Sequence, residues 1–311
     1  MSLKQLLLRV GQAVIVLLAT YTLAFVLLQI LPSDAVMARY GSPDLGLTPE
    51  QIAEIRASYG VDKPLIVQYF TSLVAFFTGN LGYSVQSGAA VTVLLGEALP
   101  STLTLASLAF LLGVVLAFLI ATLANFSGRV NSFFQSLPSL LIAVPTFWIG
   151  IILIQVVSFQ LGWISIINPG PVEELILPVI TLSIPVAATL SQVLIRAINE
   201  AKQQSFVPVV RARGASEARV FFGNILRNAA LPSLTIAGVL FGELVGGAVV
   251  TETVFSRTGI GNLTVNAVAN RDTPVLMAVV VIAATVYVLI NLIVDLLYPI
   301  IDPRLRRRAA A

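Results

Sequence analysis

Six long apolar runs alternate with polar segments along the chain, at positions 10–31, 99–124, 133–159, 175–195, 229–250 and 274–301. A helix needs roughly 20 mostly apolar residues to cross the hydrocarbon core of a bilayer. Each run meets that length, so the pattern predicts an all-α integral membrane protein with six transmembrane helices. Lys4 and Arg9 precede the first run, and Val36-Met37-Ala38 passes weakly as a cleavage site, as in a secretory leader. Its 22 uncharged residues exceed the roughly 7–15 of a leader's apolar core, which favours a retained helix. Prolines 138, 145, 178 and 185 fall in the third and fourth runs and should kink those helices.

The polar segments carry their own signals. In the outer segment 32–98, Thr48-Pro49-Glu50-Gln51 reads as a helix start. Thr48 can cap, Pro49 suits the first helical position and Gln51 can reach back to close a capping box. The stretch "PLIVQYFTSLVAFFTGNLG" that follows is apolar with a few polar positions, and predicts short helices along the outer membrane face. A loosely folded loop is the competing reading.

Composition and charge agree with this pattern and orient it. Of the 311 residues 57% are hydrophobic and 11% charged, against about 25% charged in soluble domains. Six crossings put both termini on one side. If that side is the cytoplasm, thirteen of the eighteen basic residues lie inside, leaving only Arg39, Arg56, Lys63, Arg257 and Arg271 outside. The positive-inside rule therefore favours both termini in the cytoplasm. Basic residues at the ends of apolar runs serve orientation, so the net charge of +3 does not point to nucleic acid.

Several chemistries are excluded. The chain has no cysteine and no histidine, so disulfides, thiolate catalysis and imidazole metal sites are absent. No G-x-x-x-x-G-K-[ST] phosphate loop occurs, and none of the three lysines, Lys4, Lys63 and Lys202, follows a glycine. No catalytic residue, bound cofactor or metal site is expected on this chain. Glu243 and Asp295 are the only acidic residues within the runs, a thin basis for an ion-driven relay. What remains is a permease energised by another chain, an ATP-independent carrier or channel for small polar solutes, or a membrane scaffold.

One charged stretch bears on that choice. "VRARGASEARVFFGNILRNAALP" (210–232) concentrates Arg211, Arg213, Arg219 and Arg227 between the fourth and fifth runs. Ser205 can cap a short helix with Pro208 in its first turn, Gly214 suits a left-handed stop, and Ser216 can cap a second helix that starts with Glu217. The predicted shape is a helix, a sharp bend and a helix returning to the membrane. An orienting anchor would need the arginines alone, without the glycine and serine, and both readings stand on the residues.

The stretch resembles the cytoplasmic coupling loop of ATP-binding-cassette importer permeases, in particular the dipeptide/oligopeptide family. Arg211, Ala212, Arg213, Gly214, Ser216, Leu226, Arg227, Asn228, Ala229, Leu231 and Pro232 fit that family's pattern. "GNLGYS" (79–84), "LPSTLTLA" (99–106), "TETVFSRTGIG" (251–261), "RDTPV" (271–275) and "NLIVDLLYPIIDPRLR" (291–306) are similar to its other motifs, in order along nearly the whole chain. Asn80 stands where the family has an acid, Pro208 enters a more polar loop start, and "SRTG" replaces a tryptophan and a proline. The resemblance implies a type I ABC importer transmembrane domain spanning 1–311, with a coupling loop at 196–228 and a last outer segment at 251–273. It implies that Arg211, Arg213, Gly214, Ala215, Ser216 and Glu217 make or shape the contact with a cytoplasmic ATPase. It further implies a homologous second permease, two ATPase subunits holding ATP and Mg, and an extracytoplasmic substrate-binding protein. Dipeptides, longer peptides, glutathione or nickel chelates are the family's cargoes.

Two further groups are candidates for the pathway or for helix packing. Gly238, Gly242 and Gly246 recur every four residues and form overlapping G-x-x-x-G motifs, with Glu243 adjoining that face. Asn291, Asp295, Tyr298 and Asp302 follow helical spacing on one face of the sixth run.

Overall fold

A computed structural model describes residues 3–30, 35–42, 45–60, 62–126 and 130–301. Among the described residues the chain is helical, with one isolated antiparallel bridge between Tyr83 and Ala90. The α-helices are α1 (Leu3–Ile30), α2 (Ala35–Tyr40), α3 (Pro49–Tyr59), α4 (Leu65–Phe77), α5 (Val91–Phe126), α6 (Asn131–Ile142), α7 (Thr146–Leu153), α8 (Glu173–Lys202), α9 (Phe206–Ala212), α10 (Glu217–Val220), α11 (Leu226–Gly247), α12 (Val249–Val254), α13 (Ile260–Ala269) and α14 (Thr273–Ile301). Short π-helical turns, Ile154–Gln160 and Phe221–Ile225, follow α7 and α10.

Among the described residues four helices, α1, α5, α8 and α14, are each long and apolar enough to cross a membrane. The third and fifth runs each form a bent pair, which brings the count to as many as six. The third run is thus not one helix kinked by proline. It breaks by 100° between Asn131–Ile142 and Thr146–Gln160. Pro145 sits at the break, where its extended backbone (ψ 133°) starts α7 and its carbonyl accepts from the Trp148 and Ile149 amides. A proline disfavours helical geometry in the residue before it, which ends α6 here. In contrast, Pro178 and Pro185 lie within the single helix α8. The fifth run bends by 53° between Glu217–Ala230 and Pro232–Gly247.

The chain divides into two compact units. One comprises Leu103–Phe255 with residues 289–301; the other comprises Leu3–Thr102 with Ser256–Val288. In the first unit α8 is the central helix, packed by α6, α7, α11 and α12. Its core joins Ile120, Ala121 and Ala124 of α5 to Leu194, Ile198 and Ala201 of α8, to Val207 of α9, and to Val220, Phe221 and Ile225 of the charged stretch. Gly113 of α5 lets α8 approach closely: a Cβ there would lie 2.7 Å from the Val186 side chain and 3.1 Å from the Ser183 carbonyl.

In the second unit, Val91, Leu95 and Ala98 at the start of α5 pack with Ile260 and Ala267 of α13 and Val275, Ala278 and Val279 of α14. The capping box at α3 forms as its sequence predicts: Thr48 accepts from the Gln51 amide, and the Gln51 side chain accepts from the Thr48 amide. Asp272 is 2% exposed. Its carboxylate accepts from the Ser84 hydroxyl at 2.5 Å and from the Val85 and Gln86 amides at 3.2 and 3.3 Å. "GNLGYS" and "RDTPV" are therefore two halves of one clasp. Tyr59 donates to the Ser84 carbonyl, and burial, with Tyr40 and Asp272 nearby, raises its phenol above the ordinary tyrosine value. "LPSTLTLA" and "TETVFSRTGIG" meet similarly. Ser101 accepts from Arg257 at 3.1 Å and Thr102 accepts from the Ile260 amide at 2.8 Å.

Candidate functional site

The charged stretch forms a braced knob. Just before this stretch α8 ends at Lys202, whose ammonium donates to the Asn125 side chain at 2.9 Å and to its carbonyl at 3.3 Å. This ties the ends of α5 and α8 together. Val207 of α9 and Val220 of α10 are each about fully buried in the core below, with Phe206, Val210 and Ala215 packed around them. The opposite face, with Arg211, Arg213, Gly214, Ser216, Glu217 and Arg219, is exposed.

The bend is closed by local chemistry. Gly214 adopts φ +79°, and its amide donates to the Arg211 carbonyl at 2.9 Å while the Ala215 amide donates to the Val210 carbonyl at 3.4 Å. That pair of bonds is a Schellman stop, which places a left-handed residue just after the helix. A side chain at Gly214 would meet no atom within 4 Å. The glycine is required by backbone conformation alone, because β-carbons crowd the following carbonyl in the left-handed region. Ser216, extended at ψ 153°, caps α10 by accepting from the Arg219 amide. Ser205, expected to cap α9, is itself helical (ψ −21°) and makes no side-chain cap.

Sequence reasoning missed how Arg211 and Glu217 relate. The guanidinium donates to both carboxylate oxygens of Glu217, at 2.8 and 2.9 Å. These hydrogen bonds, then the carboxylate's charge, raise the Arg211 pKa further above its usual value. The fork–fork geometry fixes direction as well as distance. It spans the bend, so one of the expected contact arginines is engaged within the knob, although Arg211 and Arg213 are both exposed.

The pathway candidates are dispersed. Gly238 and Gly242 of α11 are buried, but Gly246 is exposed and a Cβ there would meet nothing within 4 Å. Glu243 is exposed and lines a cavity of about 380 Å³ with Thr146, Leu182, Pro185, Thr189 and Thr251. Asn291 of α14 is half-buried and does not line that cavity. Asp295 and Tyr298 belong to α14 by backbone, but their side chains, and Asp302 entirely, lie outside the described residues. Among the described residues no group of three acidic, histidine or cysteine side chains could hold a metal ion.

Residues 109–307 match the family described as binding-protein-dependent transport system inner membrane component, and residues 2–106 match the N-terminal component of the same transport systems. A probable peptide ABC transporter permease of Sinorhizobium fredii is 36% identical over 292 residues, covering 91% of this chain and 92% of that one. The dipeptide transport system permease of Lactococcus lactis subsp. cremoris is 32% identical, covering 97% and 99%. Among solved structures, the MetNI methionine ABC transporter in an inward-facing conformation matches with a TM-score of 0.58 at 16% identity, over 67% of this chain and 96% of that one. An amino acid ABC transporter crystallised with histidines matches at 0.55 and 19%, over 67% and 94%. At that identity the likeness concerns the fold.

Proposed function

Because the chain belongs to the binding-protein-dependent transport system inner membrane component family, and is thus a multi-pass permease subunit of an ABC importer, we propose that it carries di- or oligopeptides inward by ATP-driven alternating access. Its knob docks in a cytoplasmic ATPase subunit. Two such ATPases, holding ATP and Mg, work with this chain and a homologous second permease, and an extracytoplasmic binding protein delivers the cargo. The termini face the cytoplasm. The relatives named as peptide and dipeptide permeases support the cargo class.

One observation supports the coupling reading: the bend at Gly214 is closed by local hydrogen bonds and packed into the core around α8. The Schellman bonds, the Ser216 cap and the Arg211–Glu217 fork fix the knob, and Val207, Val220 and Phe221 root it in the core around α8. Movement of an ATPase would therefore be transmitted to the central helix rather than absorbed by a loop. Rigid-body transmission of this kind is a general means of switching between states.

The test exploits the empty space beside Gly214. A Cβ added at Gly214 meets nothing within 4 Å, but a β-branched residue resists the left-handed conformation, at a cost of about 1–3 kcal/mol. Asparagine tolerates that conformation far better. In the complete importer reconstituted in liposomes, Gly214→Val should lose most uptake while the ATPases still hydrolyse ATP, and Gly214→Asn should retain most uptake. Normal coupled transport by Gly214→Val would refute the assignment.

A further inference from the structure

Helix α4 is not one of the six runs, yet its thirteen residues, LIVQYFTSLVAFF, include no charge and none of them is buried. Ile66, Phe70, Val74 and Phe77 recur along one face and are 73%, 58%, 62% and 70% exposed. The opposite face meets α1. The Tyr21 hydroxyl donates to Ser72 at 2.7 Å, Thr22 and Tyr69 hydroxyls lie 2.8 Å apart, and the Phe25 and Tyr69 rings are 5.3 Å apart.

These contacts set a depth. The apolar part of α1, Leu7–Leu28, has 22 residues, about 33 Å of helix for a hydrocarbon core of about 30 Å. Tyr21 is a few residues short of Leu28, about 10 Å inside that end, and Phe25 about 5 Å inside it. A helix held to Tyr21, Thr22 and Phe25 lies within the leaflet, not above it. Over the same stretch α1 exposes Leu23 and Leu27, at 62% and 55%, so both helices present apolar surface at one level.

The carboxyl end of α4 suits a medium without water. The Val74, Ala75 and Phe76 carbonyls accept from the Thr78, Asn80 and Gly79 amides respectively. In hydrocarbon every such carbonyl must find an internal partner. At the amino end Lys63 and the Arg56–Asp62 ion pair provide polar groups suited to the headgroup level.

We propose that α4 is embedded in the leaflet at the carboxyl end of α1, with Ile66, Phe70, Val74 and Phe77 facing lipid acyl chains. A helix of this length cannot span; it is a side anchor for α1, clasped by Tyr21–Ser72 and Thr22–Tyr69. The proposal rests on α1 crossing the membrane and is independent of the coupling reading.

The absence of native cysteine makes the test direct. Single variants Ile66→Cys, Phe70→Cys, Val74→Cys and Phe77→Cys carry a nitroxide label in the assembled importer in liposomes, with Glu54→Cys of α3 as the aqueous reference. Collision with oxygen, which concentrates in lipid, is compared with collision with a water-soluble nickel chelate. The expected result is strong oxygen and little nickel relaxation at all four positions, reversed at Glu54. Nickel access at the stripe equal to that at Glu54 would place α4 in water and overturn the proposal. Loss of both collisions would mean that protein, a second permease or the binding protein, covers the stripe, and would overturn it equally. Each position reads independently, so a variant that fails to assemble leaves the other three to decide.

Discussion

Asp272 accepts three hydrogen bonds while almost wholly buried, so removing its carboxylate strands three donors. A buried group left unsatisfied costs about 1–3 kcal/mol, and bonds to charged groups are at the strong end. Asp272→Ala should therefore destabilise the purified protein by about 3 kcal/mol or more, read as a lowered midpoint of thermal unfolding in detergent. Ser84→Ala, which removes one donor, should cost about 1–2 kcal/mol. Added to Asp272→Ala, it should cost much less, because residues sharing a bond are not additive. Equal midpoints for Asp272→Ala and the parent would rule out the clasp as a structural element. This site was not legible in the sequence beyond two motifs quoted by likeness, because Ser84 and Asp272 are 188 positions apart. Gly214 and Ser216 were legible because their partners lie within four residues.

At the scale of elements, the same division holds. Helices whose signals are local, such as α3 with its capping box, appear where the sequence places them. The break in the third run was announced by Pro145, but not its 100° angle, because that depends on α7 packing against α8 and α12. Pairing across the knob also escaped notice: Arg211 and Glu217 are six apart, a spacing that no continuous helix brings together, and only the Gly214 bend does so. The geometry separates two roles within the stretch, Arg211 holding the bend and Arg213 facing outward. Reversing one charge, as in Arg211→Glu, should open the fork by like-charge repulsion and reduce uptake several-fold. The exchange Arg211→Glu with Glu217→Arg should restore much of that loss, since the pair is rebuilt with its ends swapped. If Arg211 served only as a contact for the partner, the exchange would not rescue transport, and uptake assays of the three proteins decide between these outcomes.

For the whole molecule, the question is which side of the membrane the knob occupies. Among the described residues up to six helices or bent pairs are long and apolar enough to cross, and if all six do, as proposed, the even number returns the chain to its starting side. The segment holding the knob follows the fourth crossing, so it shares the side of the amino terminus. Basic residues concentrate on that same side, and each is costly to carry across a bilayer during insertion. Both arguments support the proposed arrangement, with the knob and the termini in the cytoplasm and α3 outside. Single-cysteine variants of this cysteine-free chain test the arrangement. A membrane-impermeant thiol reagent added to intact spheroplasts should label Glu54→Cys and spare Ala218→Cys, which is exposed on the knob. Permeabilising the membrane should make Ala218→Cys reactive. The reverse pattern would put the knob outside, where no cytoplasmic ATPase could reach it, and the coupling mechanism would fall with the topology even though the fold itself would be unchanged.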